Sequence, residues 1–354
     1  VLQTLINEIE GGKHLSAEQC ATAVNELVAE SVPASLKAEF LCHLALKGET
    51  VDEIAAFAAA LREKSVRPPL DPETRSREIL DVCGTGGDRL NTFNISTTVA
   101  IICAAAGVAV AKHGNRAITS QAGSADVLEA LGIRVDLPPE EAARSLAQHN
   151  FAFFFAPNYH PAFKFIAPAR KLCAERGQRT IFNFLGPLLN PARPSAQLVG
   201  VPRPQLCEPL ARVLQTLGVR RGMVVSGKVP LPSPKPGEPS DAFLDELSTM
   251  GANTIAEFYQ ERGFVTSELQ PSNLPIQPAT LAEISGADRM VNAQIVRNLL
   301  GGKEHGPRRD AVLLNAAAAL FVASRSRTLS EGWDLAATLI DNGQAEQKLK
   351  ELAG

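Results

Sequence analysis

The chain has 354 residues, is 45% hydrophobic and 21% charged, and carries a formal net charge of −3. That length suits one large domain plus a small one. The acidic balance, with no basic run, excludes an ordinary nucleic-acid-binding face, and the longest apolar run, Val99 to Ala111, is too short to span a bilayer.

Residues 1 to 70 read as helices. Leu2, Leu5, Ile6 and Ile9 recur at helical spacing, and Val51, Ile54, Phe57, Ala58 and Leu61 make a second apolar face. Ser16 with Gln19 and Thr50 with Glu53 fit capping boxes. Pro and charge from Arg67 to Glu78 predict a linker. From Ile79 the rhythm changes. Strands are predicted at Ile79–Cys83, Val108–Ala111 and Phe151–Phe155, with helices over Ser96–Ala106 and from Ser124 to Leu131. Strands alternating with helices predict an α/β domain with a mostly parallel central sheet. Ligands bind such sheets outside the strand ends. Arg179–Pro194 is an apolar stretch closed by Gly and Pro turns. Lys228–Ser240 is so rich in Pro that it predicts an exposed, irregular excursion. The six cysteines, Cys20, Cys42, Cys83, Cys103, Cys173 and Cys207, have no zinc-like spacing. They predict reduced core thiols and, with no visible signal peptide, a cytoplasmic protein.

The stretch Asp81–Leu131 holds four devices suited to phosphate. Gly84-Thr85-Gly86-Gly87-Asp88 follows a strand; it matches neither a Walker loop nor a G-x-G-x-x-G fingerprint. Its glycines allow close backbone approach and N–H donation, or make a plain tight turn. Asn94-Ile95-Ser96-Thr97 opens a helix whose N-terminus attracts anions, the alternative being simple capping. Lys112-His113-Gly114-Asn115-Arg116 brings two cations to the next strand end, and Gly123-Ser124-Ala125-Asp126 opens another helix. Together they predict a substrate with more than one phosphate.

The ordered set DVCGTGGD, NIST, KHGNR and GSADVLEALG, followed by RTIFNFLGPLLNPA, LDELS and DAVLLNAAAALFVAS, resembles the anthranilate phosphoribosyltransferase family over nearly the whole chain. The resemblance implies a small all-helical N-terminal domain, residues 1–70, joined by a segment near 165–190. This domain packs against a large α/β domain, residues 71–354, and forms the contact of a homodimer. It implies phosphoribosyl diphosphate and anthranilate as substrates, Mg2+ as cofactor, and a place in tryptophan biosynthesis. Carried over by position, Gly84, Gly87, Asp88 and Thr92 meet the diphosphate, and Asn94, Ile95, Ser96 and Thr97 hold phosphate. Lys112, His113, Gly114, Asn115, Arg116, Thr119 and Ser120 wrap the ribosyl phosphate, closed by Ser124. Asn115 and Arg170 contact anthranilate, Arg170 through its carboxylate. Ser96, Asp245 and Glu246 bind magnesium; the alternative for the two acids is an ordinary helix start.

The chain departs from the family pattern in four places. Arg89 stands where a glycine is usual, Thr119-Ser120 replaces Ser-Ser, the Arg170–Arg179 spacing is longer, and Val225-Ser226-Gly227 stands where a histidine often precedes the acids. The aromatic amine is unprotonated near neutral pH, so the expected catalysis is positioning and electrostatics rather than strong base. His113 is a candidate for assisting proton removal, with a hydrogen-bonding strut as the alternative. A pyrimidine nucleoside phosphorylase is the first rival, disfavoured by Asn115 and the acidic pair. A non-catalytic nucleic-acid-binding relative is the second, disfavoured by the charge. No Asp-Asp occurs, which excludes a type I phosphoribosyltransferase.

Overall fold

The computed structural model describes residues 1–117, 121–231, 240–259 and 262–354. The N-terminal bundle consists of α1 (Leu2–Glu10), α2 (Ala17–Val28), α3 (Ala34–Lys47) and α4 (Val51–Glu63). Both expected capping boxes form, at Ser16 and Thr50. Glu53 does more than cap α4. Fully buried, it accepts the Leu15 N–H at 2.8 Å and pairs with Lys47 at 2.7 Å, tying the loop before α2 and the end of α3 to α4.

The expected linker is not wholly irregular. Asp71 accepts the Thr74 N–H and Pro72 starts a short helix, α5 (Pro72–Ser76). The α/β part then runs through β1 (Ile79–Gly84), α6 (Ile95–Ala105), β2 (Ala109–Gly114), α7 (Ser124–Ala130), α8 (Pro139–His149) and β3 (Phe151–Phe155). It continues with α9 (Ala156–Tyr159), α10 (Ala167–Glu175), α11 (Phe182–Leu185), β4 (Ala196–Gly200), α12 (Cys207–Thr216), β5 (Arg221–Pro230) and β6 (Asp241–Leu244). β7 (Asn253–Tyr259), β8 (Arg262–Leu269), α13 (Arg289–Leu300), α14 (Pro307–Val322), α15 (Leu329–Asp341) and α16 (Gln344–Ala353) complete it. The sheet order is β3-β2-β1-β4-β5-β7-β8, with β6 also on β5. The pairs from β3 to β5 are parallel; those of β5 with β6, β5 with β7 and β7 with β8 are antiparallel. The fold is therefore a helical bundle with a large α/β domain on a mostly parallel sheet.

Strand alternation divides the core in two. Val82, Leu198, Val225 and Ile255 face α6 and α14. Their neighbours Val199, Val224 and Ala256 face the other way, onto a cluster that includes α1–α4, Ile166, Ala169 and Cys173 of the α10 region, and α12. The bundle is thus fastened to one sheet face, and residues 166–189 share its core. All six thiols are unpaired, five of them buried and Cys83 partly so. Among the described residues, no helix is long and apolar enough to cross a membrane.

Two sequence expectations need correction. β2 continues past Ala111 through Lys112 and His113, because both stay in register with β3, opposite Phe153 and Phe154. The Pro-rich excursion is partly regular. Lys228, Val229 and Pro230 pair with β6, Lys228 bridges Asp241 at 2.9 Å, and Pro230 is tolerated because it ends its strand. Residues 232–239 of that excursion lie outside the described residues.

Candidate active site

Parallel strands end together at Gly84, Gly114, Phe155 and Gly200, and the expected site residues gather at those ends. Beyond the end of β4, the chain leaving β6 turns inward with Asp245 and Glu246. Two glycines admit it. A Cβ on Gly84 would lie 2.1 Å from Asp245 Oδ2, and one on Gly200 only 1.6 Å from the Asp245 carbonyl oxygen. The Gly86 N–H donates to Asp245 Oδ2 at 2.7 Å. Glu246 accepts from the backbone N–H and hydroxyl of Ser96, at the N-terminus of α6. The helix-start alternative for the acids fails: among the described residues, no helix begins at 245.

These carboxyls crowd one another. Burial first, then the charges of Asp88 and Glu246, push Asp245 well above the usual carboxylate range. Burial pushes Glu246 up to about 7, although Lys112 draws it down. Lys112 is itself buried and donates to the Val82 carbonyl at 2.6 Å and to Ser96 Oγ at 3.3 Å. Asn94 is the N-cap of α6 but makes no side-chain cap bond, and the first N–H groups turn elsewhere, that of Ile95 to the Phe93 carbonyl and that of Ser96 to Glu246. Instead Asn94 Oδ1 accepts from Asn292 Nδ2 at 2.9 Å. Thr97 Oγ1 is buried without a hydrogen-bond partner among the described residues. Ile95 differs from its neighbours: its side chain is in the core and its N–H bonds Phe93, so it holds the helix rather than facing the site. Thr92 bridges Ser285. Gly86 and Gly87 have φ of 78° and 88°, as a turn of close backbone approach requires. Arg89 adopts φ 61°, a conformation that favours the family's glycine.

At the end of β2, Gly114 leaves room for Ser124, whose Oγ would lie 2.5 Å from an added Cβ. The Ser124 hydroxyl and the Ala125 N–H both donate to the Asn115 carbonyl. Asn115 is exposed. Arg116 is not free for phosphate in this state. It makes a fork with Glu129 at 2.6 and 2.7 Å, approaches Asp126 at 3.4 Å, and lies over Phe155. Its guanidinium buttresses α7. Thr119 and Ser120 lie outside the described residues.

A third group lies beside β2. His113 Nε2 and His160 Nε2 are 3.2 Å apart, one donating to the other, and the backbone of Gly186 lies in hydrogen-bond reach of His113 and that of Leu189 in reach of His160. Burial is the main cause that pushes them down to about 3 and about 4. From His160 an aromatic path continues: Phe163 stacks on it at 5.1 Å, Phe182 meets Phe163 edge-on at 5.9 Å, and Arg170 lies 5.3 Å over Phe182. Arg170 has an exposed face, yet the surrounding protein lowers its pKa, and no salt bridge engages it among the described residues. An aromatic wall ending in an open guanidinium suits an aromatic carboxylate.

Sequence reasoning missed the residues that hold this arrangement. Asn315 of α14 binds both backbone groups of Leu247, and Asn253 binds both of Ser248, at 2.6 and 2.9 Å. Buried Asp81 accepts from Asn190 Nδ2 at 2.9 Å, and Asn190 also donates to the Ala111 carbonyl. Only the order of motifs could have signalled His160; nothing local marks Gly200 or Asn315.

Asp245, Glu246 and Ser96 are hard oxygen donors, and their mutual crowding is what a divalent cation would relieve. Among the described residues, no group of three or more His, Cys, Asp or Glu could cage a metal alone. Two carboxylates and a hydroxyl suit magnesium, which keeps waters and shares phosphate oxygens with its substrate.

The glycosyl transferase family, helical bundle domain, matches residues 3–65, and the glycosyl transferase family, a/b domain, matches residues 76–346. The chain is 44% identical to the anthranilate phosphoribosyltransferase of Petrotoga mobilis, covering 98% of this chain and 94% of that one. The Thermus thermophilus anthranilate phosphoribosyltransferase structure superposes with a TM-score of 0.85 at 38% identity, covering 98% of each chain. That of Saccharomyces cerevisiae, solved in complex with phosphoribosyl diphosphate and magnesium, gives 0.83 at 25% identity, covering 99% of this chain and 96% of that one. Motif order, site geometry and full-length similarity agree: the chain belongs to the anthranilate phosphoribosyltransferase family of glycosyl transferases.

Proposed function

We propose that this chain transfers the 5-phosphoribosyl group from phosphoribosyl diphosphate to the amine of anthranilate, releasing diphosphate, in tryptophan biosynthesis. The observation that carries the reading is one convergence at the strand ends. A glycine turn, a helix N-terminus without a side-chain cap and two half-buried acids meet there, and an aromatic wall ending in Arg170 runs from the same edge. Asp245, Glu246 and the Ser96 hydroxyl would hold magnesium, which when bound neutralises the diphosphate leaving group. The N–H groups of Gly86 and Ser96, now turned to carboxylates, are the donors that phosphate oxygens would take over. Gly84, Gly87, Asp88 and Thr92 frame the diphosphate. Asn94, Ser96, Thr97, Lys112, Asn115 and Ser124, with Thr119 and Ser120, frame the phosphates.

Arg170 orients anthranilate by its carboxylate, and Asn115 also contacts it. Burial lowers the His113 pKa to about 3, which makes it a weak proton acceptor at neutral pH. His113 and His160, joined through their Nε2 atoms, instead act as a hydrogen-bonding strut beside the site.

Residues 1–70 with the segment near 165–190 form the smaller domain and supply the contact of a homodimer in the cytoplasm. The test is turnover of anthranilate with phosphoribosyl diphosphate and magnesium, followed by loss of anthranilate fluorescence. Turnover that requires all three is the expected result. Inactivity toward anthranilate together with phosphorolysis of thymidine or uridine would assign the phosphorylase reading instead.

A further inference from the structure

Helices α3 and α10 come from distant parts of the chain and lie side by side. Between them, Cys42 Sγ and Cys173 Sγ are 3.5 Å apart, both reduced and both buried. Cys173 is 1% exposed and its thiol also reaches the Ala38 carbonyl; Cys42 keeps 8% exposure. Two apolar side chains of this size would fill the same space, so burial alone explains one thiol but not two in contact. A disulfide requires the sulfurs to close by about 1.5 Å. α10 also carries Arg170, one helical turn before Cys173.

We propose that Cys42 and Cys173 are a disulfide-forming pair, oxidised by hydrogen peroxide, which staples α10 to α3. Cys42 is the more accessible thiol and reacts first: its sulfur attacks the peroxide, forming a sulfenic acid and releasing water. The Cys173 thiolate then attacks the Cys42 sulfur and displaces hydroxide, which leaves as water with the Cys173 proton. Two hydrogens leave the protein and the peroxide is reduced to water. Burial pushes the Cys173 thiol up to about 12, so the second step is slow at neutral pH and quickens with alkalinity. The pair is silent under mild conditions and responds to sustained oxidant. Its consequence for the acceptor rests on the reading of Arg170 above; the cross-link itself does not.

The test treats the full-length protein with hydrogen peroxide at graded pH, followed by intact mass and peptide mapping without reduction. The expected result is a loss of about 2 Da and a peptide joining Cys42 to Cys173, reversed by dithiothreitol and absent in Cys42→Ala and in Cys173→Ala. Its rate should rise by roughly tenfold per pH unit below the thiol pKa. Recovery of both thiols in alkylatable form after prolonged treatment at alkaline pH would overturn the proposal, as would the same mass loss in either variant. A cross-linked protein is expected to show a changed KM for anthranilate and an unchanged KM for phosphoribosyl diphosphate. Formation of the cross-link with both constants unchanged would overturn the staple's link to Arg170 while leaving the enzyme assignment intact.

Discussion

The Asn315 side chain holds the backbone of Leu247 from both sides, accepting its N–H at 2.9 Å and donating to its carbonyl at 3.0 Å. Leu247 directly follows the acids Asp245 and Glu246, so an amide on α14 sets where the chain carrying them runs. Asn315→Ala removes three hydrogen bonds, one of them to the Ala311 carbonyl, and leaves buried backbone groups unpaired. A stability loss of about 1–3 kcal/mol follows. The magnesium concentration giving half-maximal activity should rise further than the KM for anthranilate. Magnesium titration checks this, and an unchanged magnesium requirement would count against the positioning role.

Gly200→Ala should be severe. Its Cβ would fall 1.6 Å from the Asp245 carbonyl oxygen and 2.2 Å from the carbonyl carbon. Backbone cannot move aside as a flexible side chain does. Either the Asp245 turn shifts, with loss of most activity, or the fold loses about 3 kcal/mol. Urea unfolding and activity measured on the same preparation separate the two. A variant with wild-type values in both would show that the turn is pliant.

Asp245→Asn with Glu246→Gln should abolish most activity without lowering Tm in the absence of magnesium. The wild-type carboxyls are half-buried, lose solvation there and repel each other and Asp88, so neutral amides relieve strain in the metal-free state. Added magnesium should raise the Tm of the wild type and not that of the variant. A large fall in Tm for the variant would point to a structural role.

Arg170→Ala should raise the KM for anthranilate by about ten- to a hundredfold, the effect of losing a charge-assisted pair of about 1.5–3 kcal/mol. The KM for phosphoribosyl diphosphate should change far less. Equal changes in both would indicate that Arg170 acts through its place over Phe182. An unchanged anthranilate constant would direct attention to Arg179.

Acid should destabilise the protein through the histidine pair. The folded-state pKa values of His113 and His160, about 3 and about 4, lie below the ordinary 6.5. The unfolded chain therefore binds the extra protons first, and the stabilisation present above pH 6.5 is lost as pH falls toward 4. Asp81, held up to about 6 by burial, acts with the opposite sign over part of that range. The informative quantity is thus the difference between wild type and His160→Gln, whose unfolding free energy should fall less steeply between pH 6.5 and 4. Parallel curves would refute the assignment.

Local chemistry made much of this protein legible from its sequence. Helix periodicity and the Ser16 and Thr50 boxes announced the bundle, and the change of rhythm at Ile79 announced the α/β part. Glycines, hydroxyls and cations at strand ends marked where the candidate site gathers, because such residues act through backbone geometry and charge close to where they stand. β2 proved longer than predicted, since pairing with β3 outweighs the polarity of Lys112 and His113. Arg116 was read as a phosphate cation, but Glu129, thirteen positions on, claims it in this state. Only tertiary structure decided that Gly84 and Gly200 make room for Asp245, that Asn315 holds the acids' backbone, that His160 faces His113 and that Cys42 touches Cys173. Each is a contact between segments that no period or spacing connects. Which partner a side chain meets across such a distance is set by the sheet order and by the helices fastened to its two faces.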